Sequence, residues 1–235
     1  MAEDLRPKVL EVLRLTGERF EKVLPGATDR FVRTITPAFD ELLTALDRFG
    51  APEVQAERGK NRPDRYDLSW HLLWDACNSL LAAFTLFQRG FETDTLAATR
   101  GVLERVACAM VLFDNPELVP RFKAEKLSDF STEAIAVAGK VIPDLPREWG
   151  LLSELGVHIH PENVGTGAIG VRVDQVGHHL DMAIGGRLPT DPKVIEAWGH
   201  MLDELCAIAE RILVPAPHNI YFNPKRVETQ FRKAR

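Results

Sequence analysis

The chain has 235 residues, 45% of them hydrophobic and 27% charged, the balance of a globular protein with enough apolar residues for a sizeable core. Its formal net charge of −5 and isoelectric point near 5.8 argue against a dedicated duplex-DNA binder, which carries a basic excess. No apolar run approaches a membrane span, and Met-Ala-Glu-Asp-Leu-Arg does not open as a secretory signal does; the expectation is a cytoplasmic protein with no membrane partner.

Helical periodicity dominates from the N-terminus. Leu5, Val9, Val12, Leu13, Phe20, Val23 and Leu24 share one face from about Asp4 to Leu24, where Pro25-Gly26 stops the helix. Thr36 then reads as an N-cap with Pro37 at the first helical position. Phe39, Leu42, Leu43, Leu46 and Phe49 follow as the apolar stripe, and Gly50 closes it. Residues 51–65 are polar and contain Pro and Gly, the pattern of a loop. Tyr66 to Arg89 is apolar nearly all round, the profile of a helix at the centre of a bundle. Gly90 breaks it, and Asp94 to Phe113 returns antiparallel, since short connections make neighbours.

Asn115-Pro116 starts the next helix, lined by Leu118, Phe122 and Leu127. Ser131-Thr132 opens a short piece to about Val141. After Pro143 and Pro146 a helix runs from about Arg147 to Val157. Six of the sixteen glycines lie between Asn163 and Gly186, with Val171/Val173 alternating, so a Gly-rich loop or small β-hairpin is expected near 160–190. A capped helix begins at Thr190-Asp191-Pro192 and runs to about Leu213. The sequence therefore predicts an all-α multi-helix bundle, one structural domain overall. Residues 1–50 are an N-terminal helical pair packed on it, 66–213 its core, and 214–235 an irregular basic tail.

Charge on an apolar helix is costly unless paired or used. Between Asp94 and Phe113 the only charges are Arg100, Glu104 and Arg105, and Arg100 shares a stripe with Leu96, Leu103, Ala107 and Met110. Arg100 and Glu104 are thus either a structural pair tying two helices together or a site. His158 and His160, at the end of a predicted helix, supply imidazoles suited to acid–base work near neutrality, or to the helix dipole. Asp67/His71, Glu154/His158 and Glu196/His200 each sit four residues apart. Glu154, His158, Glu196 and His200 form the alternative set for a metal-dependent bundle enzyme, although di-iron bundles use Glu-x-x-His. No cofactor is expected.

Gly165-Thr166-Gly167-Ala168-Ile169-Gly170 spells the dinucleotide fingerprint without the strand and helix it requires. Cys77, Cys108 and Cys206 lie in apolar helical patterns and read as small buried hydrophobes. Basic clusters at Arg58, Lys60, Arg62 and Arg65, and at Lys225, Arg226, Arg232, Lys233 and Arg235, read as solvated surface or places for RNA or another anionic ligand.

Phe87-Gln88-Arg89-Gly90-Phe91, Ala97-Ala98-Thr99-Arg100-Gly101-Val102-Leu103-Glu104, Asp114-Asn115-Pro116 and Arg121-Phe122 together resemble a bacterial helical family of unassigned function. Trp149-Gly150-Leu151-Leu152-Ser153 leading to His158 and His160 resembles its later aromatic–Leu-Ser–His helix. The likeness spans roughly residues 66–165. That family looks related to the HEPN helical bundles, several of which are dimeric, metal-independent RNases of toxin–antitoxin and phage-defence systems. The resemblance implies a HEPN-like homodimer acting on RNA through an Arg/His cleft. Arg100 would clamp phosphate, Glu104 would hold Arg100, and His158 or His160 would be base or acid. HEPN nucleases place Arg and His four to six residues apart on one helix. Arg100 and His158 lie on different predicted helices, whereas Arg172 and His178 have the literal spacing. The alternative function is a non-catalytic helical protein that binds or regulates through an anionic ligand.

Overall fold

A computed structural model describes residues 18–58, 65–124, 127–156, 168–174, 177–182 and 192–223. Residues 18–23 are helical and a turn at Pro25-Gly26, with Gly26 at φ 75°, leads into α1 (Ala27–Arg48). Then come α2 (Pro52–Arg58), α3 (Arg65–Gln88), α4 (Glu92–Asp114), a 3-10 turn (Pro116–Leu118), α5 (Val119–Ala124), α6 (Leu127–Ala138) and α7 (Asp144–Gly156). Two strands, β1 (Ala168–Asp174) and β2 (Gly177–Met182), pair antiparallel with a register shift between Ala168 and Gly170. The chain ends in α8 (Pro192–Ile208), a π turn (Ala209–Leu213) and α9 (Pro215–Tyr221). Among the described residues no helix is long and apolar enough to cross a membrane.

The all-helical bundle is built on the α3–α4 hairpin, its most extensive packing. Ser69, Leu73, Ala76, Leu80, Ala83 and Phe87 are buried on α3 at alternating four- and three-residue steps, the spacing that keeps one helix face against a partner. Every residue of α4 from Val106 to Phe113 is buried, because α3, α6 and α7 surround it. The turn between them is a Schellman motif. Gly90 sits at φ 77°, its N–H bonds the Phe87 carbonyl at 2.9 Å, and the Phe91 N–H bonds that of Leu86 at 3.0 Å. The Gly-aromatic signature is thus the cap that folds α4 back on α3.

α1 begins ten residues before the expected N-cap and passes through Pro37. Thr36 spends its hydroxyl on the Val32 carbonyl, 2.7 Å. Pro37 removes only the amide that would bond the carbonyl of Arg33, and both residues are exposed, so water can take that carbonyl. The buried stripe is Ala27, Phe31, Ile35, Ala38, Leu42 and Ala45, with Phe31 stacked on Phe84 at 4.1 Å. Leu43 and Leu46, expected to be inside, are exposed. Residues 52–58, expected as loop, form α2 and bury Val54, while Gln55 Nε2 donates to the Phe49 carbonyl.

A second correction concerns the tail expected to be irregular from Pro215. Residues 215–221 are α9, because Pro215 and Pro217 fall in a first turn that needs no amide donors. α9 buries Ala216, Pro217 and Ile220, and its Tyr221 hydroxyl lies 2.7 Å from Ser69 Oγ. The basic residues Lys225, Arg226, Arg232, Lys233 and Arg235 lie outside the described residues, as do residues 1–17 of the expected N-terminal pair. One hydrophobic core cluster joins residues from Phe20 to Ile220.

Candidate functional site

The charges stranded on α4 meet α7. Arg100 Nη2 lies 3.0 Å from Glu104 Oε1, one turn on, and the two side chains are 22% and 18% exposed. Trp149 of α7 donates its indole N–H to the same Glu104 oxygen at 3.2 Å, and the Arg100 guanidinium carbon lies 5.1 Å from the Trp149 ring centroid. One carboxylate therefore holds both a cation and the ring beneath it, a pre-organised guanidinium on an aromatic shelf. The Ser153 hydroxyl closes onto the Trp149 carbonyl at 2.7 Å. Arg100 Nε is buried and makes no hydrogen bond among the described residues. A buried donor left open is costly, so this N–H is a natural point for an acceptor to enter. Arg105 turns to its own helix, where Nη1 donates to the Gly101 carbonyl at 2.9 Å.

His158 and His160 lie outside the described residues, just beyond the end of α7 at Gly156. Arg172 and His178, the pair with the literal HEPN spacing, stand on different strands: Arg172 is in register with His179, and Val173 with His178. They share no helix. Of the alternative metal set, Glu154, Glu196 and His200 are exposed and His158 is not described. Among the described residues no group of three or more His, Cys, Asp or Glu is placed to hold a metal. Burial pushes the Cys77 and Cys108 thiols up to about 12, helped at Cys108 by Glu104, and burial raises Cys206 as well. These cysteines are protonated core residues.

A second cluster lies on the other side of α7. Glu148 is the one charged residue buried in the core among the described residues, 3% exposed. It is paired with Arg147, approached by Arg211 of the π turn at 3.6 Å, and hydrogen-bonded to Glu204 of α8. Burial, then the Glu148 carboxyl, pushes Glu204 up to about 7. For Glu148 burial acts upward too, but the Glu204 hydrogen bond and both arginines outweigh it and hold it below the usual carboxylate range. The pair shares a proton: Glu204 carries it and Glu148 the charge. Sequence reasoning passed over Glu148, although Leu145, Glu148 and Leu152 occupy one stripe at i, i+3 and i+7.

Other residues of the family-like motifs are structural. Arg121 makes two hydrogen bonds of 3.3 Å to Glu133, tying α5 to α6, and Phe122 meets Phe130 edge-on at 5.2 Å. The Asn115 side chain returns to the Val111 carbonyl at 3.0 Å and finishes α4. No protein-family model, curated protein or solved structure matches this chain.

Proposed function

We propose that the Arg100–Glu104–Trp149 seam recognises an anion, and that the anion is the phosphodiester of RNA. The observation that carries the reading is the buried Arg100 Nε without a partner, on a guanidinium whose position Glu104 and Trp149 already fix. An arginine held in one rotamer loses little entropy when it binds phosphate. In the HEPN-like reading of the bundle, cleavage needs no metal. A base, His158 or His160, takes the 2′-hydroxyl proton, and the 2′-oxygen attacks the adjacent phosphorus. The bond to the 5′-oxygen breaks with a proton from an acid, leaving a 2′,3′-cyclic phosphate and a 5′-hydroxyl. Arg100 stabilises the charge building on the phosphoryl oxygens. This reading carries with it a cytoplasmic homodimer acting as a toxin or defence effector.

A second reading is favoured by the ion pair itself: Glu104 already neutralises Arg100 at 3.0 Å, which suits a non-catalytic anion-binding or regulatory bundle. Incubation of the purified protein with mixed RNA in excess EDTA separates the two. Cleavage to cyclic-phosphate ends, lost in Arg100→Ala and in His158→Ala, is expected of the nuclease. RNA retention without cleavage, lost only in Arg100→Ala, selects the binding protein. Neither activity, from folded protein, overturns the assignment of RNA.

A further inference from the structure

Four large hydrophobic side chains stand exposed among the described residues, and three belong to α1: Val32 at 47%, Leu43 at 48% and Leu46 at 39%. With Thr36 and half-buried Phe39 they occupy positions 32, 36, 39, 43 and 46, a four-three-four-three spacing that keeps them on one face. This stripe is separate from the buried one, so α1 has two apolar faces and the bundle covers one. Trp74 meets Phe39 edge-on at 5.2 Å, and Trp70 stacks on Trp74 at 5.3 Å, both half-buried, which broadens the apolar strip onto α3.

We propose that a second copy of this chain docks here, α1 against α1, antiparallel about a two-fold axis near Phe39. The stripe is self-complementary about that residue. With Phe39 opposite the partner subunit's Phe39, Val32 falls opposite the partner's Leu46 and Thr36 opposite the partner's Leu43. A two-fold interface demands this reciprocity. Charge selects the direction. Exposed Arg33, Asp40 and Asp47 recur every seventh residue along the rim of the stripe. Antiparallel packing sets Arg33 beside the partner's Asp47 at both ends, whereas parallel packing opposes each of the three to its own like charge. In the protomer Arg33 has Asp29 at 3.4 Å, both more than three-quarters exposed, a weak pair that is easily exchanged. Asp40 near the axis meets its own copy, a like-charge contact that gives the arrangement a signature.

Sedimentation velocity of the full chain, from micromolar to hundred-micromolar concentration, tests the interface. The wild type is expected to dimerise, and Leu43→Glu to be monomeric with an unchanged helical spectrum and melting temperature. Asp40→Asn is expected to tighten the dimer several-fold. Arg33→Asp and Asp47→Arg should each weaken it, and the two combined should restore it. A wild type that stays monomeric throughout, or a dimer that survives Leu43→Glu, overturns the proposal. So does a monomer whose melting temperature falls on Leu43→Glu, which would give the face to the chain's own residues 1–17.

Discussion

Glu104 accepts the indole N–H of Trp149 across 45 positions of sequence, at 3.2 Å, with the same oxygen that holds Arg100. Glu104→Gln keeps an acceptor for the indole but removes the countercharge. Stability should fall by about 1–2 kcal/mol in urea titrations, since an arginine only 22% exposed loses its ionic partner. If Arg100 serves an anion, the same variant should bind RNA more tightly, because the ligand phosphate no longer competes with a carboxylate. A purely structural pair would lose stability and gain no affinity; filter binding beside the denaturation curve separates the two.

Glu204 makes stability depend on pH. Its carboxyl titrates near 7 in the folded protein against about 4.5 in an unfolded chain, so the native state holds the proton more tightly. The resulting stabilisation is full below about pH 4.5 and is lost as pH rises to 7 and beyond. Glu148, held low, works the other way: its contribution is present above 4.5 and fades in acid. The melting temperature should therefore decline between pH 5 and pH 8. Glu204→Gln, which keeps a donor toward Glu148 without titrating, should flatten that decline, and an unchanged slope would dissociate it from this pair.

Gly139 has no room for a side chain. A Cβ there would sit 2.3 Å from Pro146 Cγ and 3.2 Å from the Ile135 carbonyl oxygen. Gly139→Ala should cost about 1–3 kcal/mol, the range for overpacking, as the start of α7 is pushed from the end of α6. Adding Pro146→Ala should recover part of the loss, and a double-mutant cycle from chemical denaturation measures the coupling.

Gly90 can be tested the same way. At φ 77° an alanine is strained, and Gly90→Ala should destabilise by about 1 kcal/mol, with Gly90→Asn costing less. Equal melting temperatures for the three proteins would contradict the cap.

The α3–α4 hairpin was legible in the sequence because its signals are local: dense apolar residues on both sides of a glycine that must take positive φ. The predicted Tyr66–Arg89 and Asp94–Phe113 differ from Arg65–Gln88 and Glu92–Asp114 by one or two residues at each end. α1 was misread because its buried stripe leans on Ala27, Ala38 and Ala45, while Leu43 and Leu46 advertise the opposite face. Thr36-Pro37 then imitated a helix start. At the site, Arg100 and Glu104 stood out as charges on an apolar helix. Trp149 did not, because its partner is chosen by packing and not by spacing. Glu148 was lost when the helix was begun at Arg147, since that removes Leu145 from the stripe it shares.

The π turn at Ala209–Leu213, closed by the Val214 N–H on the Ala209 carbonyl at 2.9 Å, makes the end of the chain a counting device. Each helical residue turns the chain by about 100°, so deleting one residue within 209–213 would regularise the helix and rephase everything after it. Tyr221 would swing away from Ser69, and an Arg211 displaced in the deletion would leave the carboxyl pair. Local helical order would improve while two distant contacts were lost, so this segment should tolerate substitution far better than any change in its length.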